Sequence, residues 1–170
     1  LKRAVARSAV VHTDDLAWHE PFFAWGHLLR DEILVTLHRG EGVRFQPPAW
    51  GLHGREGVIE VAAEADLVVI EGVGASQREF EHFVDASIWV QSDFQEAERR
   101  GIACDMAEGV NGDREQTIAF WHEWMAHEVR FLAEQRPWER ACLVVAGSPT
   151  IDLDEGQFAV APAPSNNPWL

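Results

Sequence analysis

The chain has 170 residues, 46% of them hydrophobic, and a formal charge of −14 from 14 basic and 28 acidic side chains. That length can bury one real core and favours a single domain over two, while the acidity opposes nucleic acid, which would need a concentrated basic patch that the sequence does not show. No apolar run approaches the roughly 20 residues of a membrane span, the opening LKRAVARSAVV is too short in its apolar part for a signal peptide, and Cys104 and Cys142 lack zinc-site spacing, so a cytoplasmic home without a membrane is expected.

In chain order, Ala9 to His12 predicts a buried strand whose tip carries Thr13-Asp14-Asp15. Leu16 to Leu29 reads as aromatic-rich helix and loop. Gly40 to Gly57, with Pro47-Pro48, Gly51 and Gly54, reads as an irregular surface excursion. Asp66 to Val73, DLVVIEGV, is an apolar run broken by Glu71 and suits a central parallel strand, as do Ser87 to Gln91 and Ala141 to Ala146. Helical patterns at Phe94 to Met106 and Arg114 to Gln135 lie among them. The expected fold class is therefore α/β, a parallel sheet with helices on both faces, spanning residues 1–150. The stretch from Pro149 to Leu170 holds four prolines, and 151–170 reads as a peripheral tail.

Ligands of such sheets bind beyond the carboxyl ends of the strands. Asp14, Asp15 and Glu71 therefore fall where chemistry is expected. An acid at a strand tip can orient or deprotonate a hydroxyl or hold a divalent cation, and it can equally cap the following helix. Glu71, interrupting an apolar strand, is costly unless paired or bound to a cation. Two carboxylate sites at neighbouring tips suit Mg²⁺ completed by substrate phosphates, the setting of phosphoryl transfer. Arg99 and Arg100 could close over phosphates, or simply line a solvated helix face. Trp50, in the loop, could stack on a base or pack inward, whereas Trp121 and Trp124 read as core. His122 and His127 imitate a zinc-protease helix, but five residues rotate a helix by about 140° beyond full turns, so the two rings cannot share a metal.

With these residues in place, Val10 to Pro149 resembles the uridine kinase-like branch of the P-loop kinases. His12-Thr13-Asp14-Asp15-Leu16 is similar to the strand end that carries that family's catalytic acid, and Val69-Ile70-Glu71-Gly72-Val73 to its later acidic strand end. Pro48-Ala49-Trp50, followed by His53 and Arg55, looks like its acceptor-binding stretch, and Ala146-Gly147-Ser148-Pro149 like the loop near adenine. The resemblance implies Asp14, or else Asp15, as the base and Glu71 with Asp14 as magnesium ligands. It further implies Arg99 and Arg100 as the phosphate-closing lid, and Trp50, His53 and Arg55 as acceptor contacts. ATP and Mg²⁺ would be the cofactors and a small hydroxyl compound, foremost a nucleoside, the acceptor. The family's G-x-x-x-x-G-K-[ST] does not occur, Lys2 is the only lysine, and Leu1 would fall inside the helix after that loop. The resemblance thus lacks the N-terminal strand and P-loop, and turnover is expected of a complete protein only. A non-catalytic nucleotide- or metabolite-binding regulatory domain is the alternative.

Overall fold

The computed structural model describes residues 5–154 and 156–160, so the expectations for Leu1 and for the tail beyond Val160 lie outside the described residues. The chain divides into two compact units, Leu1–Asp85 and Ala86–Leu170. The architecture is mixed α/β. No helix among the described residues is long and apolar enough to cross a membrane.

In the first unit, β1 (Ser8–His12) leads without a break into α1 (Thr13–Ala17). It pairs in parallel with β4 (Leu67–Glu71), from Ser8 opposite Leu67 to His12 opposite Glu71. Between them, α2 (Gly26–Leu28), a π-helical stretch (Leu29–Leu34) and α3 (Val35–His38) follow one another, and β2 (Val43–Phe45) pairs antiparallel with β3 (Ile59–Val61). Leu28, Leu29 and Ile33 recur at helical spacing and are buried together with Val11, Leu16 and Phe80. Phe80 comes from a 3₁₀ turn (Arg78–Phe83) beyond β4.

The Gly40 to Gly57 segment is more regular than expected. It contains β2 and α4 (Pro48–Leu52), and Pro48 stands in the first helical turn, where a missing N–H costs nothing and a fixed φ favours the helix. The proline pair that signals a breaker in sequence serves here as a helix start.

In the second unit, β5 (Ile88–Gln91) runs parallel to β6 (Leu143–Ala146), and Trp89 meets the buried Trp138 at 5.8 Å between ring centroids. α5 (Phe94–Glu108) begins at Asp93, whose side chain accepts from the Glu96 amide at 2.9 Å, and ends at Gly109 with φ 72°. α6 (Arg114–Gln135) packs on α5 where Gly101 lies beneath the Trp121 ring. It opens with a capping box: Asp113 accepts from Gln116 N, and the Gln116 side chain accepts from Asp113 N at 2.8 Å. Asp113→Ala is expected to cost about 1 kcal/mol, read as a lowered urea midpoint with an unchanged slope. Of the tail, Val160 forms an antiparallel bridge to Val145, so its described end docks on β6.

The four parallel strands and the two long helices thus lie where the sequence places them, within a few residues, whereas β2 and β3 were not expected. The single parallel sheet of the expectation is represented by two two-stranded parallel sheets, one in each unit, beside the antiparallel β2–β3 pair.

Candidate functional site

The candidate site is the carboxyl end of the β1–β4 pair. Thr13, fully buried, donates from its hydroxyl to the Val73 carbonyl at 3.0 Å and pins the end of β1 to the loop after β4. Gly72 in that loop has φ 116°, and a Cβ there would overlap Thr13 Oγ1. The tips of the two strands are therefore held together by a contact that only glycine at position 72 permits.

Asp14 and Asp15 follow in the first turn of α1, Asp14 exposed and Asp15 half-buried. Asp15 accepts from Arg55 Nη2 at 2.5 Å. The Arg55 guanidinium carbon in turn sits 3.6 Å from the Trp50 ring centroid, and the Trp50 indole N–H donates to the Asp15 carbonyl at 2.8 Å. The three residues close a ring of one ion pair, one cation–π contact and one hydrogen bond. This arrangement gives Asp15 a partner that keeps it anchored. Asp14 is the more exposed of the two acids.

The expectation that Trp50 stacks on a ligand is corrected: the residue is 4% exposed and belongs to the hydrophobic core. An indole with its N–H satisfied and Arg55 over its face gains more from burial than from waiting in solvent. The aromatic surface here is instead His53, stacked on His19 at 3.8 Å with the planes 8° apart, and Trp18 edge-on to both rings. His19 has φ 62°, a left-handed conformation uncommon outside glycine and asparagine. His53 and Arg55 thus share one locality with Asp15 through Trp18 and the Arg55–Asp15 ion pair.

Glu71 also needs a correction. It is the last residue of β4 and its side chain is 52% exposed, so it does not bear the burial penalty that singled it out in sequence. It has a partner that sequence reading missed, His12, whose Nδ1 contacts Glu71 Oε1 across the in-register strand tips. The signal was present in the pattern, since two parallel strands ending in His12 and Glu71 bring those ends side by side.

Among the described residues, no three His, Cys, Asp or Glu side chains converge as a metal cage. With so few donors at the strand tips, a Mg²⁺ ion there would have to be completed by phosphate oxygens and water.

Arg99 and Arg100 belong to the second unit and turn back on their own helix. Both bond Glu96, Arg99 through Nε at 2.8 Å and Nη2 at 2.7 Å, and Arg100 through Nε at 2.5 Å. The Arg99 hydrogen bonds, followed by those of Arg100, hold the Glu96 carboxyl down to about 2. In this conformation the two arginines line a solvated helix face, the alternative already visible in sequence. His122 pairs with Glu98 at 3.0 Å. No family model matches the chain, and no curated protein matches it.

Proposed function

We propose that the chain belongs to a P-loop kinase-like domain that transfers the γ-phosphoryl group of ATP to a small hydroxyl compound, foremost a nucleoside, with Mg²⁺. The observation that carries this reading is the in-register β1–β4 pair, which delivers Asp14-Asp15 and Glu71-Gly72 to the same end of a parallel sheet. On this reading Asp14 accepts the proton of the acceptor hydroxyl. Glu71 with Asp14 would hold Mg²⁺, whose contribution when bound is to neutralise charge on the transferred phosphoryl group. His53 and Arg55, with Trp18 and His19 beside them, would line the acceptor.

Parallel strands occur almost always in sheets of several strands, and the two parallel sheets here have two strands each; a kinase of this kind has a further strand running into its phosphate loop. Since no G-x-x-x-x-G-K-[ST] occurs in these 170 residues, the cradle for the β- and γ-phosphates would come from outside them.

The test is calorimetric titration of Mg²⁺-ATP into these 170 residues and into the longest reading frame of the gene that contains them. The Asp14→Asn/Glu71→Gln double variant serves as control in each, with a panel of nucleosides and sugars as acceptors. Acceptor-dependent ADP formation in a form that includes the loop, abolished by the double variant, is the expected result. If no form turns over but the 170 residues bind nucleotide and the variant binds it less, the domain is a regulatory binder. That second reading is favoured by the lack of a phosphate-loop lysine.

A further inference from the structure

We propose that Gln77 is a ligand-contacting residue whose side-chain N–H donates to an uncharged oxygen, a hydroxyl or a carbonyl, of the compound bound at the carboxyl end of β4. The inference rests on the acceptor site placed at that strand end above. Gln77 belongs to the first unit and follows Gly72 and Gly74 in the loop that leaves β4. It is 7% exposed, and its Nε2 is buried without a hydrogen-bond partner among the described residues. Buried side-chain donors are nearly always paired, because an unpaired one forfeits its hydration for nothing in return. An orphan donor in the loop beyond a parallel strand, where such sheets bind their ligands, is explained by a partner that arrives with the ligand.

What surrounds the amide keeps it unpaired. It lies against two glycines: a Cβ on Gly26, the first residue of α2, would stand 3.2 Å from Gln77 Oε1 and 3.3 Å from Nε2, and one on Gly74 would stand 3.5 Å from Nε2. Neither glycine has a side chain that could accept the proton. Trp25 closes on Gly74 with ring carbons, 2.8 Å from the same Cβ position. Glu79 also lies against Gly26, but its Oε2 accepts from Arg30 at 2.6 Å. The chemistry of the missing partner follows. An amide N–H can only donate, so the ligand supplies an acceptor. Arg30 offsets only one of Glu79 and Asp31, both of which it bonds, and the strand tips add Asp14 and Glu71. An anionic group is therefore disfavoured and a neutral oxygen fits. The terminal torsion of glutamine is soft, so a small turn of the amide presents Nε2 to the ligand.

The test compares wild type with Gln77→Met, an unbranched apolar side chain of similar length, by melting temperature without ligand and by calorimetric titration of uridine into the 170-residue chain. Without ligand, Gln77→Met should melt at or above the wild-type temperature, because the substitution removes the orphan donor and leaves no new one. Uridine should bind Gln77→Met about tenfold more weakly than wild type. Analogues that each lack one oxygen of uridine then locate the contact: one of them should lose affinity for wild type and lose none for Gln77→Met, a coupling that a merely structural glutamine would not produce. A lowered melting temperature in ligand-free Gln77→Met shows that Nε2 is already paired in the folded chain and overturns the proposal. Equal uridine affinity in the two proteins, or no coupled analogue, overturns the contact and leaves the acceptor site standing. No binding of uridine by wild type removes the acceptor site and the role of Gln77 with it.

Discussion

Gly72→Ala is expected to destabilise the first unit by about 3–5 kcal/mol, the sum of a strained backbone and an overfilled contact. The residue has φ 116°, outside the range that L side chains adopt comfortably, and its Cβ would overlap the hydroxyl of the fully buried Thr13. Neither component can relax cheaply. Thr13 is bonded to Val73 and is the first residue of α1, directly after β1, so moving it would disturb the β1–β4 pairing. The readout is amide hydrogen exchange, with protection lost over Ser8–His12 and Leu67–Glu71 and retained in β5 and β6. Adding Thr13→Ala separates the two components. The double variant should be less destabilised than the sum of the single variants, because the overlap disappears while the backbone strain stays. Strict additivity would show that the φ requirement alone makes glycine necessary.

The second large effect depends on pH. Glu128 lies on α6 between Met125 and Leu132, both buried, on one face of the helix. Burial alone pushes its carboxyl up from 4.5 to about 7. A folded-state value above the unfolded one means that the unfolded chain releases this proton first. The group therefore costs nothing below pH 4.5, lowers stability progressively as pH rises from there to about 7, and imposes a constant penalty above. That penalty amounts to about 3 kcal/mol if the whole shift is realised. Glu128→Gln should accordingly match wild type at pH 4 and exceed it by about 2–3 kcal/mol at pH 8, measured by urea unfolding across the range. A stability difference independent of pH would show that Glu128 ionises normally in the folded chain.

Much of this was legible in the amino-acid order. The helix that carries Glu128 was legible, its limits read at Arg114 and Gln135 as the structure has them, whereas Glu128 itself was not singled out. β1, β4, β5 and β6 were legible because a short β-branched run between polar or glycine punctuation has few other uses. Asp14 could be placed at a strand tip because the apolar run ends two residues before it. The Gly40 to Gly57 segment was less legible, since proline reads as a breaker unless the helix it starts is recognised.

What the sequence by itself determined is local: the hydrophobic period that sets strands and helices, and the acids that follow β1 or end β4. Those features depend on residues within a few positions of one another, and the backbone resolves them without help. Only the tertiary structure decided the partners. His12 meets Glu71 across 59 positions and Arg55 meets Asp15 across 40, and such contacts follow from register and chain reversal rather than from composition. It also decided exposure, placing Trp50 in the core and Glu71 in solvent. The reason is physical: whether a side chain is desolvated depends on everything that packs around it, and most of that comes from distant parts of the chain.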